Sequence, residues 1–162
     1  MPRVLVVWCG NPQAADDAVG IVAVRAAHPR LEAIPGVKVV EGTLGPDLAD
    51  LVVDVDAAVV VDAVRTSDGG RAPGTLVRVE AGPEGLPAHV GALMSSHGFG
   101  VAEAVGLSRA LVAHARIVLL GLEALDVGVG HPMSAPVRDL LPDLVHRIVF
   151  EATYLAAADR PA

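Results

Sequence analysis

The most informative part of the chain lies near its N-terminus and reads VLVVWCGNPQAADDAVG (residues 4–20). Its first five residues, Val4 to Trp8, form a continuous apolar run, which is typical of a short strand buried on both faces of a sheet. The glycine, asparagine and proline at 10–12 then predict a turn. From Asp16 onward apolar residues recur at helical spacing, so we expect a helix that ends near Ala27.

The same alternation of strand and helix continues along the chain. Strands are predicted over residues 37–40, 56–62, 75–80 and 117–122, and helices over 46–53, 101–112 and 137–152, with Pro142 starting or kinking the last one. Residues 81–96 form a long loop that could serve as a lid or substrate wall. Together these elements predict an α/β fold, a three-layer sandwich with a mostly parallel central sheet as in phosphorylase-like and hydrolase-like proteins. We expect one domain over 1–158 and a loose tail over 159–162.

Composition excludes several classes of protein. The 162 residues are 52% hydrophobic and 19% charged, which is too apolar for disorder. A net charge of −7 and an aromatic content of 2% argue against a nucleic-acid partner. Apolar runs fall far short of the ~20 residues that span a bilayer, so no membrane segment is expected. A single cysteine, Cys9, rules out an intrachain disulfide and favours the cytoplasm.

Acidic residues and one histidine follow the predicted strands at the edge where such sheets bind ligands. Asp16 and Asp17 begin the first helix, Asp62 ends the third strand, and His97 joins the long loop to the next helix. Each also has a structural interpretation, as a helix-terminal acid, a carboxylate bonded to turn amides, or a helix cap. If Asp17, Asp62 and His97 converge, they form a three-ligand site with open positions, as catalytic metal sites require. The same acids, and the lack of a GxGxxG motif, disfavour dinucleotide binding.

Several short motifs in register resemble the hydrogenase maturation endopeptidases. They are Gly10-Asn11, Asp16-Asp17 with Gly20, Glu41-Gly42-Thr43-Leu44-Gly45, Val61-Asp62-Ala63-Val64, Ser96-His97 and Gly121-Leu122-Glu123. The resemblance runs in order through nearly the whole chain. It implies an α/β sandwich and an aspartic or metal-dependent endopeptidase. Such an enzyme removes the C-terminal extension of a nickel-iron hydrogenase large-subunit precursor after nickel insertion.

The resemblance also implies which residues act. The family's metal ligands and catalytic residues fall on Asp17, Asp62 and His97. It implies no tightly bound metal; nickel is recognised in the precursor, and other divalent cations can occupy the site. Because neighbouring helical residues point ~100° apart, we expect Asp16→Asn to affect processing less than Asp17→Asn. A non-cleaving module that binds the metallocentre or the precursor tail is the alternative.

Three positions depart from the family's pattern. Trp8 replaces the leading glycine of the first loop and is expected to change the shape of an adjacent pocket. Glu41 stands where an aspartate is usual and could substitute for it. His131 is an additional histidine without an assigned role. Cys9 is predicted to be a small buried residue, and Ser95 and Ser96 do not form a triad with His97, because adjacent side chains diverge.

Overall fold

A five-stranded sheet forms the centre of the molecule. The computed structural model describes residues 3–41, 47–65, 71–83, 105–106, 108–110 and 112–158. The strands are β1 (Val4–Trp8), β2 (Val37–Val40), β3 (Ala57–Val64), β4 (Leu76–Glu80) and β5 (Arg116–Glu123). They lie in the order β2-β1-β3-β5-β4, and only β4 runs antiparallel to its neighbour. The mostly parallel sheet is therefore confirmed.

Helices cover both faces of this sheet. They are α1 (Val19–Glu32), α2 (Asp47–Val52), α3 (Ala135–Asp139) and α4 (Leu141–Ala157), with Pro142 in the first turn of α4. One core packs α1 and α4 against residues such as Val59 and Leu120. The other packs α2 and the helical residues near 105 against alternate strand residues such as Val60 and Leu119. These two aliphatic cores make the three layers that the sequence predicts.

The third strand is longer than predicted, and this changes the position of Asp62. The prediction ended the strand at Asp62, but β3 continues to Val64 because its pairing with β5 extends from Ala57 to Val64. Its pairing with β1 stops earlier, at Trp8 and Val61. Asp62 therefore lies within β3. It is one position beyond Val61, the last residue of β3 that pairs with β1.

The start and end of the first helix also differ from the prediction. Asp16 and Asp17 lie in a 3-10 turn, Ala15–Ala18, and not in the first turn of an α-helix. The α-helix begins at Val19 and continues to Glu32, beyond Ala27 and through Pro29. Its last turn is held by Leu31, which is fully buried in the core, so packing outweighs the lost proline hydrogen bond.

Gly20 allows this helix to approach the sheet closely. A Cβ atom at Gly20 would lie 2.7 Å from the carbonyl oxygen of Val61 and 3.0 Å from that of Cys9. A side chain here would push α1 away from the carboxyl ends of β1 and β3. The glycine thereby fixes the 3-10 turn, and the acids on it, close to Asp62.

Several predictions concern residues outside the described ones. They include most of the loop over 81–96, part of the helix over 101–112, and the tail over 159–162; the described part of that helix, residues 105–106 and 108–110, is helical. The single-domain prediction stays a prediction. Among the described residues, no helix is both long and apolar enough to cross a membrane.

Candidate active site

Asp62 and Cys9 lie side by side at the carboxyl edge of the sheet. Trp8 and Val61 form the last pair between β1 and β3, and the Cys9 amide donates to the Val61 carbonyl over 2.8 Å. Asp62 alternates with Val60 and therefore shares the sheet face on which Cys9 packs. The strand register alone places a carboxyl group next to a thiol here.

The Asp62 carboxyl group is buried and incompletely hydrogen-bonded. The residue is 6% exposed, and its Oδ1 atom has no hydrogen-bond partner among the described residues. Burial raises the pKa of Asp62 well above its usual value, the charge of Asp17 raises it further, and the Ala63 amide opposes both effects. An unpartnered buried carboxyl group is costly to the fold, so such groups are typical of sites that bind a proton, an ion or a substrate.

Asp17 comes to the same point from the first loop. Its Oδ2 atom accepts a hydrogen bond from the Asn11 amide over 2.9 Å, which closes the loop around the carboxylate. Gly10 makes this possible with φ +121°, because a Cβ atom there would lie 2.2 Å from the Asp17 carbonyl oxygen. The Gly10-Asn11 motif thus orients Asp17 towards Asp62.

The thiol of Cys9 is no nucleophile in this arrangement. It is 6% exposed, and burial raises its pKa, with further increases from the charges of Asp62 and Asp17. A thiol in such surroundings stays protonated and unreactive. The prediction that Cys9 is a small buried residue is confirmed.

Asp16 points away from Asp17 and makes four hydrogen bonds to the loop after β5. Its Oδ2 accepts from the Leu125 amide over 2.8 Å, the Asp126 amide over 3.0 Å and the Ser134 hydroxyl over 2.7 Å, and its Oδ1 accepts from the Ser134 amide over 2.7 Å. The Asp16 amide in turn donates to the Asp126 carbonyl. Asp16 is fully buried and connects two loops. Sequence reasoning missed this role, because the partners are more than 100 residues away.

A pocket of about 520 Å³ lies between the same two loops and α1. Its lining includes Pro12, Ala15, Val22, Val129, His131 and Met133. A hydrogen bond of 2.8 Å from the Gly130 amide to the Gln13 carbonyl ties its walls together. At its rim, Nδ1 of His131 lies 2.9 Å from Oδ2 of Asp126. Sequence reasoning assigned His131 no role; in the structure it lines this pocket.

Trp8 and Glu41, the two positions where the sequence departs from the motifs, each make their own contacts in the structure. Trp8 is 9% exposed and packs under α1, on the opposite face of the sheet from Asp62, so the expected change lies in the core beneath that helix. Its Nε1 atom is buried and has no hydrogen-bond partner in the described part of the chain. Glu41 forms a bidentate pair with Arg25 of α1, at 2.9 and 3.2 Å, which lowers the pKa of Glu41.

His97, the third predicted ligand, lies outside the described residues, as do Ser95 and Ser96. Within the described ranges, no group of three or more His, Cys, Asp or Glu side chains could hold a metal ion. Asp17 and Asp62 are two carboxyl groups close enough for one to shift the pKa of the other. An unpartnered carboxyl oxygen beside a second carboxylate fits a divalent cation, provided that a further ligand completes the set.

Comparisons with known proteins agree with this architecture. Residues 22–151 match the family model HycI, described as hydrogenase maturation protease. The hydrogenase expression/formation protein HupD of Rhizobium leguminosarum bv. viciae is 34% identical over 152 residues, which cover 91% of this chain and 73% of HupD. HupM of Azotobacter chroococcum is 32% identical over 156 residues, covering 93% and 72%.

Solved structures show the same fold. The hydrogenase maturating endopeptidase HybD from E. coli superposes with a TM-score of 0.73 at 22% identity, covering 90% of this chain and 89% of HybD. An endopeptidase from Escherichia coli, solved in solution, superposes with a TM-score of 0.77 at 20% identity, covering 97% and 95%. The fold, the family match and the HupD relationship lead to one conclusion: the chain belongs to the hydrogenase maturation protease family.

Proposed function

We propose that this protein is an endopeptidase that removes the C-terminal extension of a nickel-iron hydrogenase large-subunit precursor after nickel insertion. Family membership supports a peptidase of hydrogenase maturation. The observation that carries the proposal is the buried Oδ1 of Asp62, which has no hydrogen-bond partner among the described residues and lies beside Asp17 at the carboxyl edge of the sheet. Such an edge is where α/β proteins place their ligand sites.

In this proposal, Asp17, Asp62 and His97 contact the nickel that the precursor brings. The raised pKa of Asp62 favours a proton on its carboxyl group while the site is empty. Approach of a cation favours the ionised form, so binding releases that proton and gives Oδ1 its missing partner. Asn11 keeps the Asp17 carboxylate in place during this exchange. A divalent cation between these groups and the scissile carbonyl would polarise that carbonyl for attack by water.

The same residues support an interpretation without a resident metal. Two carboxyl groups and one imidazole would leave coordination positions open for ligands from the substrate, which agrees with nickel as cargo of the substrate and no tightly bound metal. Other divalent cations could still occupy the site. A single, buried cysteine without a disulfide suits a reducing compartment, so we place the reaction in the cytoplasm.

A cleavage assay on purified nickel-loaded and metal-free precursors tests the function. Loss of the C-terminal extension is followed by mass spectrometry, with Asp62→Asn and a chelator as controls. We expect the loaded precursor to be cut far faster than the metal-free one. Equal rates would contradict nickel recognition and leave metal-assisted hydrolysis. Failure to cut either precursor would contradict the peptidase function, and tight binding of the loaded form without cleavage would favour the non-cleaving module.

A further inference from the structure

We infer that the pocket between residues 12–15, α1 and residues 129–133 binds an apolar side chain of the precursor polypeptide near the bond that is cut. This inference rests on the proposed function and deepens it, because it assigns to the protein a substrate-binding subsite distinct from Asp17 and Asp62. The pocket residues become determinants of affinity and specificity, with no part in the chemistry.

The chemistry of the pocket favours an apolar occupant. Val22 on α1 is 41% exposed and Val129 is 71% exposed, and Met133, which also lines the pocket, packs against the core. Exposed aliphatic side chains around a concavity are typical of binding surfaces. A volume of about 520 Å³ accommodates one large aliphatic side chain together with the backbone on either side of it.

The polar groups of the pocket suit a peptide backbone. Gln13 and His131 are part of its lining, and Asp126 engages Nδ1 of the His131 ring, so Nε2 is the ring nitrogen that a ligand can meet. An amide side chain and an imidazole can each exchange a hydrogen bond with a peptide amide or carbonyl. Apolar walls with a few polar groups at the rim are the usual composition of a site that orients its ligand.

The pocket is continuous with the candidate active site through one loop. Pro12, Gln13 and Ala15 form one wall, and Asp17 follows Ala15 two residues later on the same 3-10 turn. A polypeptide that places its scissile bond at Asp17 and Asp62 can therefore reach the pocket by crossing this turn. That continuity favours a segment of the substrate as occupant over a free small molecule.

The pocket is also built before any substrate arrives. The four hydrogen bonds of Asp16 fix the loop after β5 against the acid turn, and the Gly130 to Gln13 bond fixes the opposite side. A preformed pocket binds with little ordering cost. The two neighbouring aspartates would then have different roles: Asp16 holds the subsite in shape, and Asp17 faces the reacting bond.

The test measures kcat and KM for the loaded precursor with Val22→Asp and Val129→Asp, and the dissociation constant of that precursor with each change in an Asp62→Asn background. A charge in an apolar subsite should raise KM and Kd at least tenfold and change kcat less than about twofold. Val129→Leu keeps the apolar wall and should change KM and Kd far less than Val129→Asp does. Val53→Asp is the matched control, because Val53 is 51% exposed in the turn between α2 and β3, at the amino edge of the sheet and away from the edge that carries Asp62 and the pocket.

The outcomes separate the subsite from the proposed function. Wild-type KM and Kd in both aspartate variants would overturn the subsite while cleavage continued. If the wild-type protein cut no precursor, the Kd series would still decide: weaker binding by Val22→Asp and Val129→Asp but not by Val53→Asp supports the subsite, and absent or unchanged binding overturns it. A switch from dimer to monomer on Val129→Asp, seen by size-exclusion chromatography with light scattering, would assign the pocket to self-association and also overturn the proposal.

Discussion

Asp16 and Asp62 are two buried aspartates at the same edge of the sheet with opposite surroundings. Asp16 is fully buried and accepts four hydrogen bonds, whereas Asp62 is nearly as buried and its Oδ1 has no partner among the described residues. A buried carboxylate surrounded by amides contributes to stability, but one that keeps an unpartnered oxygen opposes folding. We infer that Asp16 stabilises the loops around the site and that Asp62 is available to bind a ligand.

The same difference separates two residues that are adjacent in the chain. Asp16 and Asp17 were predicted to point in different directions, and they do, although they lie in a 3-10 turn. Asp16 bonds to the loop after β5, and Asp17 bonds to Asn11 of the first loop. The expectation that Asp16→Asn affects processing less than Asp17→Asn stays a prediction. Asp16→Asn should nevertheless lower stability, because an amide nitrogen would replace one of two oxygens that both accept hydrogen bonds.

The largest expected effect on stability comes from removing the satisfied acid. Asp16→Ala leaves three amides and a hydroxyl without their hydrogen-bond acceptor in a buried site. We therefore expect a loss of ~3 kcal/mol or more in the free energy of unfolding. In a chain of this size that lowers Tm by roughly 6–12 °C. Thermal melts monitored by circular dichroism measure it. Asp54→Ala, at an exposed turn, is the control and should stay within ~0.5 kcal/mol; equal effects would contradict the comparison.

Removing the unsatisfied acid should act in the opposite direction. The pKa of Asp62 is raised in the folded state, so between the unfolded value of about 3.9 and the folded value the native protein holds a proton that the unfolded chain has lost. Stability of the wild type therefore falls as pH rises through this window. Asp62→Asn removes that loss and should be more stable at pH 7 by ~1 kcal/mol.

Chemical unfolding of both proteins across the pH range gives the measurement for Asp62→Asn. The two stability curves should converge below about pH 4, where the wild-type carboxyl group is protonated in both states. They should separate as pH rises. A variant that is less stable than the wild type at pH 7 would show that Asp62 is a satisfied structural group like Asp16.

A smaller change sharpens the account of Asp16. Ser134→Ala removes one of the four donors, the hydroxyl that lies 2.7 Å from Oδ2. The hydroxyl makes no capping hydrogen bond to α3, so the expected loss of ~1 kcal/mol reports on Asp16 alone. Thr153→Ala removes an exposed hydroxyl bonded to the Val149 carbonyl and is the matched control. The two losses should differ, with Ser134→Ala the more destabilising in urea unfolding.

Sequence reasoning predicted the layers of the fold well, because apolar runs such as Val4–Trp8 reflect burial on both faces of a parallel sheet. It could not predict how far β3 continues, since that depends on pairing with β5 more than 50 residues away. The role of Asp16 and the pocket near His131 were hidden for the same reason: each joins two loops separated by over 100 residues. The motifs identified Asp17 and Asp62, but only the structure separated the binding acid from the scaffold acid.

The central claim is that Asp62 is required for cleavage although its buried carboxyl group lowers the stability of the fold. Cleavage of nickel-loaded precursor by Asp62→Asn, followed by mass spectrometry on the same preparation used for a thermal melt, tests it most directly. We predict cleavage at least ~100-fold slower than the wild type, because the loss of a ligand exceeds the usual cost of losing a supporting group, together with an equal or higher Tm. Wild-type cleavage, or a loss of cleavage that accompanies a lower Tm, would contradict the account.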